Sequence, residues 1–292
     1  NPKWELRDKF ILSKGHGSLG LYAALAEVGI IDKNDLVNFE KSNGFLFGHP
    51  IMNLEKGIEI SSGSLGMGLS VGIGMSIASI KKKLKNKIFV LLGDGECNEG
   101  SNWEAFMSAP KYKLDNLFLI IDRNNLQQTG SSKDIMDIGD MCEKLKNFGW
   151  HVIEVDGHDI EKILNAYVKA SQSIDKPTCI IAHTTKGKGV SFFENQVLWH
   201  YRSAKGLEYE NAKKGMGLLL FNEIINQSEA KNATIEVNQA ICYKTKPRDE
   251  VDEERSKEST KFYRKLNFSP FGYDGNTEVF KRTGEDIFEQ IW

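Results

Sequence analysis

IFVLLGDGECNEGSNWEAFMSAPKYKLDNLFLIIDRNN, residues 88–125, decides the fold of this chain. An apolar run ends in Gly93-Asp94-Gly95, a helical stretch follows, and a second apolar run, Leu117 to Ile121, ends in Asp122-Arg123-Asn124-Asn125. Asn124 lies thirty residues after Asp94, the length of one strand, helix and strand crossover. As parallel neighbours the two strands bring Asp94 and Asn124 to one edge of the sheet, the carboxyl edge at which open α/β folds bind ligands. Two hard oxygen donors then meet. The glycines on both sides of Asp94 let backbone N–H groups approach a bulky anion, and Mg²⁺ binds through one or two protein oxygens plus phosphate oxygens. The stretch therefore points to a diphosphate held through a divalent metal.

Working outward, apolar runs at 88–92, 117–121, 152–155 and 178–182 alternate with helical stretches. That alternation predicts an α/β fold with a parallel sheet and helices on both faces. Residues 18–28 read as a helix with Leu19, Leu21, Tyr22, Leu25 and Val28 mostly inward and Gly29 ending it. The glycine-rich run 63–68 follows no strand in a G-x-G-x-x-G pattern, so the dinucleotide fingerprint fails. It reads instead as a helix start.

The 292 residues, 40% hydrophobic and 27% charged, suffice for one large domain plus an appendage. A formal charge of -2, with Lys and Arg concentrated nowhere beyond short runs such as Lys81 to Lys83, argues against a nucleic-acid or polybasic membrane binder, and those lysines read as a solvated helix end. Cys97, Cys142, Cys179 and Cys242 show no paired spacing, so neither a disulfide framework nor a zinc site is indicated and a reducing cytoplasm fits. The window 65–80 is too short to span a bilayer and rich in Gly and Ser, which predicts a buried helix packed closely on the sheet. No targeting segment is visible, and Asn at position 1 reads as a trimmed form of something longer.

LLGDGECNEGSNWEA followed by DNLFLIIDRNN resembles the thiamine diphosphate motif. RDKFILSKGHGS, GHPIMN, SSGSLGMGLSVGIGM, EVDGHD and HTTKGKGVSFFEN are similar, in order, to the cofactor-binding segment of transketolases. The likeness runs from residue 1 to about 229 and is greatest to the amino-terminal subunit of transketolases split into two polypeptides. It implies a thiamine diphosphate-binding domain over 1–229, with 230–292 as a C-terminal extension. The metal ligands it implies are the Asp94 carboxylate, the Asn124 side-chain oxygen and the Leu126 carbonyl, with Mg²⁺ in place and Ca²⁺ or Mn²⁺ as substitutes. Gly95 would give a backbone donor to the diphosphate, Gly63, Ser64 and Leu65 would offer backbone groups to the aminopyrimidine end, and Gly93, Asp94, Glu96 and Asn124 also belong to the cofactor-binding set. His16, His49 and His200 fall at family positions that face the thiazolium and the sugar, His16 and His200 also touching the cofactor. Imidazoles suit the chemistry, since cleaving a ketose beside its carbonyl removes a hydroxyl proton and the acceptor aldehyde gains one near neutral pH. Glu99 resembles a glutamate that links cofactor sites across the subunit interface. His151, His158 and His183 are left as structural, His158 lying near a cofactor-side loop.

The family also has a Ser-Gly-His-Pro-like segment well before the RDKFILSKGH position, and this sequence shows none. The glutamate that activates the aminopyrimidine lies in a second, pyrimidine-binding domain, so the resemblance implies a separate partner chain, an α₂β₂ assembly and sugar or sugar-phosphate substrates. Lys244 to Lys261 mixes charges with almost no apolar residues and reads as a solvated linker. The aromatic segment from Phe262 to Trp292 reads as a docking element. Two other readings stay open: the α subunit of a 2-oxo acid dehydrogenase, which the SKGH, GHP and WH elements disfavour, and a non-catalytic scaffolding paralogue.

Overall fold

A computed structural model describes residues 1–42 and 44–214, with the backbone of 268–274 and 277–282. Residues 1–203 form one compact unit and 204–292 a second. In the first unit, β1 (Lys9–Leu12), β2 (Ile88–Gly93), β3 (Leu117–Arg123), β4 (His151–Asp156) and β5 (Thr178–His183) build one sheet in the order β1-β2-β3-β5-β4. Every pairing is parallel, as the helix-filled crossovers require. The helices are α1 (Ser18–Glu27), α2 (Met67–Lys81), α3 (Gly100–Lys111), α4 (Ser132–Met136), α5 (Met141–Phe148) and α6 (Ile160–Ala170).

β3 is buried from Leu117 to Ile121, whereas β2 buries Ile88, Val90 and Leu92 and leaves Phe89 and Leu91 half-buried. The larger core joins the sheet to α2, α3 and α5 through Leu69, Ile73, Phe106, Leu145 and Trp150. On the opposite face Phe118 and Ile180 meet Ala166 and Ala170 of α6. The α2 helix lies close on β2 because Gly72 has no side chain, and a Cβ there would stand 2.5 Å from Val90 Cγ2. At 15 residues α2 is the buried helix expected from the 65–80 window, and among the described residues no helix is long and apolar enough to cross a membrane.

Two local expectations differ from the structure. β1 is a fifth strand: its four residues are too few to show a period of two, and its pairing, Lys9 with Ile88 through Leu12 with Leu91, defines it. On α1 the inward face is Tyr22, Leu25 and Ala26, while Leu19 and Val28 are 51% and 70% exposed. The helix meets only a small satellite core, Ile31, Leu46 and Ile58, so one narrow stripe is covered. Tyr22 Oη donates to the Phe47 carbonyl at 2.8 Å, and Gly29 ends the segment at φ 73°.

Cys97, Cys142 and Cys179 are buried free thiols, and Cys242 lies outside the described residues. So do the linker expected at 244–261 and most of the aromatic tail. In the second unit β6 (Phe268–Asp274) and β7 (Thr277–Arg282) pair antiparallel, with a register shift between Pro270 and Gly272.

Candidate active site at the carboxyl edge of the sheet

The register of β2 on β3 pairs Gly93 with Asp122, so both strands deliver their next residues to one corner. The Asp94 N–H still donates to the Asp122 carbonyl at 3.2 Å, which holds the turn against β3. Asp94 is 9% exposed; its Oδ1 accepts from the Gly95 N–H at 2.8 Å and its Oδ2 from the Asn125 N–H at 2.6 Å. Asn125 adopts the left-handed conformation, φ 58°, that Asn tolerates better than most residues. Asn124 Oδ1 accepts from the Leu126 N–H at 3.0 Å, and Leu126 makes an isolated bridge with Ser131.

Burial raises the Asp94 carboxyl above the usual range and Asp122 adds to the rise, against the lowering by the Gly95 and Asn125 N–H bonds and Lys14. A cation at this corner would offset that burial penalty. Among the described residues no cluster of three His, Cys, Asp or Glu side chains could hold a metal. A divalent ion here would therefore need neutral oxygens, such as those of Asn124 and Leu126, and anionic oxygens from a ligand. The donor set suits Mg²⁺ carried with a diphosphate.

A cleft of about 650 Å³ opens beside the corner, lined among others by Lys14, Asp122, Asn124, His158, Thr184 and Lys186. Lys14, just past β1, forms an ion pair with Asp122 Oδ2, and the Thr184 hydroxyl donates to Asp122 Oδ1. Burial alone would raise Asp122, but the Lys14 charge and hydrogen bond, the Thr184 hydroxyl and Lys186 outweigh it and hold the carboxyl below its ordinary range. Lys186 is lowered by burial and by Lys14, with Asp122 and Asp94 acting the other way. Two ammonium groups with one carboxylate between them leave the cleft a net attraction for an anion. His158 Nε2 accepts from the Thr185 N–H at 2.7 Å, which fixes the loop that carries Lys186.

The three loop histidines converge at the other end. His16 and His49 have ring centroids 5.0 Å apart, and His16 and His200 likewise. His200 Nε2 lies 2.9 Å from His16 Nδ1, while His200 Nδ1 is buried without a partner. That orphaned nitrogen is the kind of group a bound ligand satisfies. Burial lowers His16, helped by His49, Lys186 and Lys14; burial also lowers His200, to about 4, with Lys186, His16 and Lys14 contributing. Burial and the neighbouring positive charges thus favour the neutral imidazole at both positions.

Close packing explains the glycines. A Cβ on Gly15 would stand 2.7 Å from His49 Cδ2 and 3.1 Å from the Gly63 nitrogen. Gly63 has φ 131°, and Ser64 and Leu65 are exposed on the turn into α2, whose helix begins at Met67 with Gly66 as its left-handed N-cap. Glu96 is 3% exposed, and its carboxylate accepts from Ser13 Oγ at 2.5 Å, the Gly66 N–H at 2.9 Å and the Gly93 N–H at 3.2 Å. It braces the ends of β1 and β2 and the start of α2 beneath the corner. Burial raises its carboxyl, the three donors working against the rise.

Asp94, Asn124 and Leu126 thus share one corner, and His16, His49 and His200 one cluster. Lys14, Asp122, Thr184, Lys186 and Tyr201 also belong to the site and were not singled out from sequence. Lys14, Asp122, Thr184 and Lys186 all sit inside motifs already quoted, so their signal was present; that Thr184 meets Asp122 depends on β5 lying beside β3, which no local pattern gives.

The chain matches the family model described as "Transketolase, thiamine diphosphate binding domain" over residues 1–244. It is 45% identical to an apulose-4-phosphate transketolase subunit of Actinobacillus succinogenes over 212 residues, 73% of this chain and 75% of that one. It is 40% identical to the 6-deoxy-6-sulfo-D-fructose transketolase subunit SqwG of a Clostridium species over 200 residues, 68% of this chain and 73% of that one. Among solved structures, Campylobacter jejuni transketolase superposes with a TM-score of 0.67 at 32% identity, covering 75% of this chain and 35% of that one. The chain spans about a third of the length of such full transketolases. With the parallel sheet, the acidic corner and the imidazole cluster in one frame, the chain belongs to the transketolase family, and its residues 1–244 match the family's thiamine diphosphate-binding domain.

Proposed function

We propose that this chain is the cofactor-binding subunit of a two-chain transketolase-like enzyme that moves a two-carbon ketol unit between sugars or sugar phosphates. The observation that carries the reading is the convergence of Asp94 and Asn124 with a cationic cleft and three imidazoles along one sheet edge. Relatives of similar span that are themselves named as single subunits of transketolases support a partner chain. That chain would bring the pyrimidine-binding domain, and an α₂β₂ assembly would set cofactors at the interfaces. Residues 1–229 would form the cofactor domain and 230–292 a linker and docking extension. Free buried thiols fit a cytoplasmic setting. Relatives bearing transketolase names favour ketol transfer over the 2-oxo acid dehydrogenase reading, and the assembled histidines speak against a mere scaffold.

Bound thiamine diphosphate supplies an electron sink for the bond-breaking step. Asp94, the Asn124 amide oxygen and the Leu126 carbonyl would hold Mg²⁺, the Gly93 to Gly95 turn would meet the diphosphate, and Lys14 and Lys186 would balance its charge. Gly63 to Leu65 would border the aminopyrimidine. His16, His49 and His200 would be the catalytic imidazoles: an imidazole placed beside the substrate can take its hydroxyl proton and return one to the acceptor, an effect worth roughly 10²–10⁴-fold in rate. Asp94→Ala should abolish Mg²⁺-dependent binding of thiamine diphosphate while the fold survives. Calorimetric titration decides it, and unchanged affinity in the variant would sink the assignment.

A further inference from the structure

Tyr201 follows His200 on the same loop and is 53% exposed, so core burial is not what holds it. Its ring nevertheless meets two of the imidazoles. The Tyr201 centroid lies 4.4 Å from that of His16 at 33°, and 5.8 Å from that of His49 in a stacked arrangement at 18°. Its phenol donates to Glu40 Oε1 at 3.2 Å. Two backbone features clear the way for that bond. Glu40 stands in the left-handed region at φ 55°, uncommon for a residue with a side chain, and its N–H donates to the Leu46 carbonyl at 2.8 Å. Gly48, next to His49, leaves the gap: a Cβ there would collide with Tyr201 Oη and stand 2.5 Å from Glu40 Oε1.

We infer that Tyr201 is a positioning residue of the imidazole cluster, its ring tilted against His16, stacked with His49 and moored by Glu40 through the gap at Gly48. The inference rests on the proposed ketol-transfer reading for its purpose. A ring face beside His16 does two things. It holds His16 and His49 at their mutual tilt of 41°, and it stabilises an imidazolium by cation–π attraction when His16 takes a proton. The other groups facing His16 are the Lys14 and Lys186 ammonium groups, His49 and His200, and burial, then His49 and the two lysines, oppose protonation. Tyr201, with the Glu40 carboxylate behind it, works in the opposite direction.

The test is histidine ring NMR across pH on the full-length chain, in wild type, Tyr201→Leu, Tyr201→Phe and Gly48→Ala. Leucine keeps apolar bulk beside His16 and removes the π face, so the titration midpoint of His16 should fall by roughly half a unit. Phenylalanine should keep most of the wild-type value. Gly48→Ala displaces the phenol without removing it and should move toward Tyr201→Leu; it carries the test should the leucine variant fail to fold. A His16 midpoint unmoved in the folded variants overturns the inference. Thiamine diphosphate with Mg²⁺ is titrated separately into wild type, alone and mixed with a pyrimidine-binding partner: absence of binding in both defeats the ketol-transfer reading, while the His16 midpoints still judge Tyr201.

Discussion

His200 shows how a single side chain carries both chemistry and a stability signature. Its imidazole is lowered to about 4, first by burial and then by Lys186, His16 and Lys14. The unfolded chain protonates near 6.5, so between those values the unfolded state binds more protons and the fold loses stability as pH falls. The thermal midpoint of wild type should therefore drop between pH 7 and pH 5 more than that of His200→Asn, and calorimetric scans at the two pH values check it. Function should respond separately. His49→Ala and His200→Ala should keep most cofactor affinity and lose turnover, because their work is on substrate protons. Steady-state rates of the reconstituted enzyme near wild type in both would remove them from the catalytic set.

At the scale of elements, α2 offers two glycines in opposite settings. Gly72 faces Val90 on β2, whereas nothing lies within 4 Å of a Cβ built on Gly74. Alanine improves helix propensity at either position by roughly 1 kcal/mol. At Gly74 that gain should appear nearly whole. At Gly72 overpacking of about 1–3 kcal/mol opposes it, so Gly72→Ala should be net destabilising. Chemical denaturation of both variants checks the contrast, and equal midpoints would mean that α2 can lift off β2 at little cost. The same helix explains why the 65–80 window reads as apolar without being a membrane span: its small residues serve close contact with the sheet.

On the scale of the whole molecule, the unit formed by residues 1–203 carries the cleft at the carboxyl edge of its sheet. Thiamine chemistry needs a carboxylate near the aminopyrimidine, and the resemblance assigns that carboxylate to another domain. The chain alone should be inactive in ketol transfer and become active when mixed with a pyrimidine-binding partner. Light scattering during mixing, followed by transfer from a ketose phosphate, tests the assembly; full activity from a homo-oligomer of this chain would overturn the split-enzyme reading.

Sequence by itself determined the parallel sheet, because apolar runs separated by helix-length stretches permit few other topologies. It also brought Asp94 and Asn124 to one edge, since a thirty-residue crossover between parallel neighbours puts both just beyond their strand ends. The histidines at 16, 49 and 200 were legible only through motif likeness, because 33 and 151 residues separate them and no local spacing joins them. Tertiary structure decided the rest. β1 exists as a strand because β2 pairs with it, and Leu19 and Val28 are exposed because α1 meets only a small core. The bracing of Glu96 by Ser13, Gly66 and Gly93, and of Asp122 by Lys14 and Thr184, joins residues from four or more segments of chain. Such contacts depend on how the segments lie beside one another after folding, and no pattern confined to one segment encodes them.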